Sequence, residues 1–260
     1  MFHLMMPIKS IAFACLSSIL SLGALAHAQG DKTNHIRFIA LGERAVTKEE
    51  FPEGHLRVDP APPKGSIFPR EVALISGDQA IPFQLDLREF TKVLTMADST
   101  EKLKVKLGET PTDANWFSEL KPKSSLSLGV IFQNSAKKSW MDPRVFILKD
   151  DEKSFKPGDI RFVNVSENTV FIRLGQGKPF GLLSGKSSIK GLEVGGSRTQ
   201  LGYLDGKSMK MLFENQIKVL EGQRVHCFFY TAEKDRGNGP VGFRLVIEEV
   251  PELLKLPGVQ

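Results

Sequence analysis

The stretch Glu101-Lys102-Leu103-Lys104-Val105-Lys106-Leu107 puts three lysines on one side of an extended chain and Leu, Val and Leu on the other. Successive strand side chains point to opposite faces, so a half-buried strand satisfies this pattern. A helix would scatter the same residues round its axis. A lysine-lined strand is also a common protection for a sheet edge. The segment is therefore expected to be an edge strand with Lys102, Lys104 and Lys106 exposed and Leu103, Val105 and Leu107 buried.

The period of two recurs along the chain. Ile36, Phe38 and Ala40 share a face, as do Leu126, Leu128, Val130 and Phe132, and later Val170, Ile172 and Leu174. Val225, Cys227 and Phe229 alternate with His226 and Phe228, and Phe243, Leu245 and Ile247 alternate with Arg244, Val246 and Glu248. Turn residues separate these runs: Pro157-Gly158-Asp159, Ser184-Gly185, Asp205-Gly206 and Gly237-Asn238-Gly239. Glu214 to Glu221 fits a short helix or a strand equally well.

Many short strands at a spacing of roughly 8–12 residues point to a sandwich or barrel, and one immunoglobulin-sized sandwich takes about 100 residues. The expected fold is all-β, with two sandwich-like halves, Ig-like or similarly antiparallel, over residues 29–150 and 151–250. A tail of 251–260 follows, and few or no helices are expected after the leader. The seam falls in the charged run Lys149-Asp150-Asp151-Glu152-Lys153. The segment from Gly42 to Pro69, with Pro52, Pro60, Pro62, Pro63 and Pro69, reads as a long connection over the first half.

The N-terminus has a different character. Lys9 precedes the uncharged run Ser10 to Leu25, and Ala26-His27-Ala28 then supplies the small-x-small pattern that a signal peptidase accepts. The run is shorter than the ~20 residues needed to span a bilayer as a helix, so residues 1–28 are expected to be a cleavable signal peptide. A cut after Ala26 is the alternative. Cys15 lies in the first half of the apolar run, where a lipoprotein cysteine does not belong. After cleavage, roughly 230 residues remain, enough to bury about 70–75% of the unfolded surface without disulfides. The body then carries one cysteine, Cys227, and most of the chain's formal charge of +5. Its lysines are dispersed rather than gathered into a stripe, which argues against nucleic acid as a partner.

Several motifs fall short of a chemistry. Gly181-Leu182-Leu183-Ser184-Gly185-Lys186-Ser187 and Gly202-Tyr203-Leu204-Asp205-Gly206-Lys207-Ser208 place three residues, not four, before Gly-Lys-Ser. A phosphate loop also needs a helix to follow, so both read as hairpin turns. Blue copper requires two histidines, a cysteinate and an axial ligand, yet no His or Met follows Cys227. Cys227 reads instead as a small buried hydrophobe. There is no G-x-S-x-G elbow, and the body holds three histidines: His35, His55 and His226. Asp150-Asp151-Glu152 lacks the ligand spacing and glycine of a calcium loop and reads as a solvated turn. Trp116 and Trp140 would have to be exposed to stack on sugar rings.

The run Phe155-Lys156-Pro157-Gly158-Asp159-Ile160-Arg161-Phe162-Val163-Asn164-Val165-Ser166 is followed by Val170-Phe171-Ile172-Arg173-Leu174 and later by Arg224-Val225-His226-Cys227-Phe228-Phe229-Tyr230. Together these resemble exported β-rich bacterial proteins of no assigned activity, over roughly residues 140–250. The resemblance implies a β-sandwich outside the cytoplasm and carries over no functional residue. The sequence thus leads to an exported, periplasmic or extracellular protein, acting as a non-catalytic binding or structural component of the cell envelope. Its partner would be another envelope protein or a polymer, with no stable membrane insertion of the mature chain. No catalytic, cofactor-binding or metal residue is named. The rivals are a hydrolase with a site between the halves and a carbohydrate-binding module using Trp116 or Trp140.

Overall fold

The computed structural model describes residues 34–43, 66–76, 79–96, 103–107, 117–134, 139–192, 195–206, 208–232 and 239–250. Residues 1–33, most of the proline-rich connection, His55, Trp116 and residues 251–260 lie outside them. All regular elements among the described residues are strands, sixteen in number.

The first eight are β1 (Asn34–Leu41), β2 (Glu71–Ser76), β3 (Gln79–Gln84), β4 (Leu94–Met96), β5 (Leu103–Leu107), β6 (Phe117–Leu120), β7 (Leu126–Asn134) and β8 (Ser139–Lys149). They form two four-stranded sheets, ordered β4-β1-β7-β8 and β3-β2-β5-β6. The second eight are β9 (Asp159–Asn164), β10 (Val170–Leu174), β11 (Phe180–Leu182), β12 (Lys186–Gly191), β13 (Ser197–Asp205), β14 (Ser208–Ile217), β15 (Gln223–Thr231) and β16 (Val241–Glu249). Their sheets are ordered β12-β9-β15-β16 and β11-β10-β13-β14. Shifted by eight, the second set reproduces the first strand for strand, so the chain builds one topology twice.

Alternation decides the layering. On β1, Ile36, Phe38 and Ala40 pack with Val72 and Leu74 of β2 and with Trp140 of β8. On β9 and β15, Ile160, Phe162, Val225, Cys227 and Phe229 pack with Val170, Ile172 and Leu201 of the other sheet. The opposite faces meet each other. Ile39, Leu41, Leu128, Val130 and Leu148 join Val163, Val165, Phe228 and Tyr230 in a third core. The sheet of β4-β1-β7-β8 and the sheet of β12-β9-β15-β16 are therefore inner layers, buried on both sides, and each carries one outer sheet.

These inner sheets are mixed rather than purely antiparallel. β1 runs parallel to β7, and β9 parallel to β15. A parallel pair needs a long crossover, and in each half the intervening strands supply it. Phe38 lies opposite Gly129 across the first parallel pair. A β-carbon on Gly129 would stand 2.4 Å from the Phe38 ring, so glycine is what lets that ring settle against β7 and stack on Phe83 at 4.8 Å.

Two local expectations change, and one open reading is decided. The lysine-bearing segment is a strand, but β5 pairs with β2 on one side and β6 on the other, so it is interior and not an edge. Solvation of one sheet face produces the same alternation as edge protection, and sequence does not separate the two. Its side chains lie outside the described residues. The turn at Asp205-Gly206 closes a true hairpin between β13 and β14. Ser184-Gly185, by contrast, turns a corner between β11 and β12, which belong to different sheets. Gly185 adopts φ 69°, the left-handed region that glycine enters without strain. Glu214 to Ile217 is strand, the end of β14.

Candidate functional site: a buried charge cluster between the sandwiches

The repeat brings like positions together. Ile36 lies opposite Ser127 across β1 and β7, and Ile160 opposite Val225 across β9 and β15. Arg37 thus matches Arg161 within the shared triplet Ile-Arg-Phe, and Leu126 matches Arg224. The Asp150 amide donates to the Leu126 carbonyl, and Arg224 lies opposite Glu248. Asp150 and Glu248 are therefore equivalent as well. Both arginine–acid pairs point into the seam between the inner sheets, where they meet.

Asp150 is the hub. Its Oδ2 accepts from Arg37 Nε at 2.8 Å and from Arg224 Nη2 at 3.2 Å, while its Oδ1 accepts from Arg161 Nη1 at 2.8 Å. Arg37 reaches on to Glu248, with Nη1 at 2.5 Å from Oε2 and Nη2 at 2.6 Å from Oε1, a bidentate fork. Glu248 Oε1 also accepts from Arg224 Nε at 2.9 Å and lies 2.8 Å from His226 Nε2. Arg37, Asp150, Arg161, Arg224 and His226 are at most 4% exposed, and the Glu248 side chain is 12% exposed.

Three guanidiniums face two carboxylates, leaving one positive charge in excess. Backbone carbonyls and ring faces take it up. Arg161 donates to the Lys149 carbonyl at 2.6 Å, and Arg224 to the carbonyls of Asp150 and Phe155, both at 3.1 Å. The Phe155 ring lies 4.0 Å from the Arg161 guanidinium and 4.8 Å from that of Arg224, and Phe90 covers Arg37 at 4.1 Å. Such cation–ring contacts gain strength when desolvated.

Burial alone would raise the Asp150 carboxyl, but Arg37, Arg224 and Arg161 together hold it below the ordinary carboxylate range. Burial pushes Glu248 up as well, and hydrogen bonds from Arg37 and His226 outweigh it, keeping that group well below its usual value. Arg37 would fall on burial; Asp150 and Glu248 raise it instead. Burial lowers Arg161, helped by Arg224 and Arg37, though a guanidinium keeps its proton in any protein. His226 is carried down to about 4 by burial, against the pull of Glu248 and Asp150. The ring is therefore neutral at pH 7. Facing an ionised acceptor, Nε2 carries the proton, and Nδ1 has no hydrogen-bond partner. Phe90, Phe155 and Phe228 enclose that ring at 4.9, 4.8 and 5.5 Å.

Chemically the arrangement is a clamp. A buried ion network seldom stabilises more than apolar residues of the same volume would, and removing one partner is costly because it leaves a buried charge uncompensated. Arg37 to Glu248, Arg161 to Asp150 and Arg224 to Asp150 are the bonds that cross from one sandwich to the other, so the cluster ties the two together.

Asp150, expected in a solvated turn, is instead fully buried. Its position at the end of β8 carries it into the seam. Asp151 stays in the turn and accepts from the Ser154 amide and hydroxyl at 3.0 and 3.1 Å. His35 bonds Thr95 at 3.1 Å and does not join the cluster. Trp140 is 2% exposed and packs edge-on against Phe68, so it offers no platform to a sugar. Arg37, Arg161, Arg224 and Glu248 carry the cluster and were not singled out from sequence. The repeated Ile-Arg-Phe, with a charge set in an apolar strand, was the available signal.

Cys227 is fully buried in the core of the second half, and burial pushes its thiol well up. Native protein is expected to resist thiol reagents and react only on denaturation, because both thiolate and access are lacking. Cys227→Ser should cost about 1–3 kcal/mol in a urea melt, the penalty of an unpartnered buried hydroxyl. Rapid labelling of the native protein would contradict the packing described.

No protein-family model matches the chain, and no curated protein does. Among solved structures, a protein of Parabacteroides distasonis described provisionally as a cell adhesion protein aligns with 85% of this chain and 97% of its own length. The identity is 7% and the TM-score 0.21, and a likeness that loose carries no weight for fold or function.

Proposed function

We propose that the chain is an exported, non-catalytic component of the cell envelope that binds or spaces another envelope protein or polymer. The observation that carries this reading is the seam. Its acids, its histidine and its arginines are engaged with one another under at most 12% exposure. A hydrolase between the halves would need a carboxylate or imidazole open to substrate, and these are committed to holding two sandwiches in one orientation. A fixed orientation suits a protein that presents surfaces at a set separation. On the outer sheet of the second half, Met209 and Met211 of β14 are each 50% exposed, an apolar feature of the kind that serves contact rather than catalysis.

Export rests on the uncharged Ser10 to Leu25 followed by Ala26-His27-Ala28. Chemical sequencing of the protein recovered from the envelope fraction should begin at Gln29, or at His27. A chain that begins at Met1 there would overturn export, and with it the compartment this function requires.

A further inference from the structure

The seam holds one titratable group that the clamp does not need in charged form, and that group lies between the sandwiches rather than inside either. His226 projects from β15 into the cluster. Arg37 faces it from β1, Asp150 from the end of β8, Arg161 from β9, Arg224 from its own strand and Glu248 from β16. His35 lies further along β1, bonded to Thr95 and lowered by burial. A proton on His226 would add a fourth positive charge to three guanidiniums and two carboxylates, in a site closed by three phenylalanine rings. Each sandwich, meanwhile, has a core of its own that contains none of these groups.

We propose that the seam is an acid-release joint, at which falling pH frees the two sandwiches from one another while each stays folded. The joint deepens the clamp reading of the cluster and is independent of export, which the N-terminal sequence tests separately. The sign follows from linkage. In the closed seam His226 binds a proton only near pH 4, whereas a hydrated imidazole does so at its ordinary 6.5. Between those values the open form takes up the proton and the closed form does not, so acid favours opening. Across that window the open-to-closed ratio rises by about 10²–10³-fold, one decade for each pH unit of difference. Asp150 and Glu248, both held low, keep their charge through the window and lose it only in stronger acid.

The test is an acid titration of the mature protein from pH 7.5 to 4, followed by small-angle scattering. A disulfide reagent active in acid, such as dithiodipyridine, reports on Cys227 at each step. Expansion between pH 6.5 and 4 with Cys227 still unreactive is the expected result, since that thiol faces the second sandwich's own core. His226→Gln, which cannot take up a proton but keeps an amide donor for Glu248, should move the expansion down by at least about one pH unit. A chain equally compact at both ends of the titration overturns the proposal. So does expansion that coincides with Cys227 labelling, or a His226→Gln protein that expands with the wild type. Should that variant fail to fold, the His226 ring resonances of the wild type decide. An imidazole that titrates at its ordinary value in the compact chain overturns the joint, and one that first takes up its proton as the chain expands supports it.

Discussion

Asp150→Ala is expected to lower the unfolding free energy by about 3–5 kcal/mol, the range seen when one partner of a buried ion network is removed. The carboxylate accepts from Arg37, Arg161 and Arg224 within 3.2 Å, so its loss strands three guanidiniums with one remaining acid. Natural domains are stable by only about 5–15 kcal/mol, so a loss of this size is a large share of the total. Urea denaturation followed by circular dichroism measures it. Asp150→Asn, which keeps the shape but not the charge, should fall on the same side. If Asp150→Ala melts with the wild type, water must be able to solvate the arginines, and the seam is not the closed cluster described.

Phe155→Ala should cost about 3–5 kcal/mol, the usual toll of emptying a fully buried aromatic site, and Phe155→Leu less than half of that. The side chain is fully buried, and its ring faces Arg161 and Arg224 while meeting His226 edge-on. Two effects add here. The cavity removes dispersion contacts, and the guanidiniums lose the electron-rich face that takes up part of their excess charge. Leucine restores most of the volume and none of the face, so the difference between the two variants isolates the cavity, and the difference between Phe155→Leu and the wild type isolates the charge effect. Equal melting points for Phe155→Leu and the wild type would mean that the ring acts as packing alone.

Sequence made the strands legible and left the layers hidden. Alternation in Ile36-Phe38-Ala40 and Val225-Cys227-Phe229 identified which residues share a face, and those residues do line the two sandwich cores. It did not reveal that the opposite face is also covered. Along β1, all but the first residue are buried, and along β15 all but the two ends. Arg37, Arg224 and His226 occupy positions that would be wet in a single sandwich, so their charge hid rather than advertised their burial. The same ambiguity made the lysines of β5 look like edge protection. Asp150 was harder still, since its acidic neighbours and the following turn give it the local character of a loop. Only the equivalence of Asp150 with Glu248, visible once the strand orders are compared, shows why an acid belongs at that place in each half.

The span of the Arg37–Glu248 fork has a kinetic side. The two residues stand 211 positions apart, and a ribosome adding about 5–20 residues per second needs on the order of ten to forty seconds to make the second after the first. In the later part of that interval, after β8 is made and before β16 is, the nascent first half has its strands while its cover is incomplete. Ile39, Leu41, Leu128 and Val130 form a greasy wall covered only as Val163, Val165, Phe228 and Tyr230 are added, beside an arginine that has found one of its two acids. Apolar surface exposed in that window is prone to aggregate until it is covered. Its last strand, β16, is the latch: until Glu248 arrives, neither the wall nor Arg37 is closed off from water.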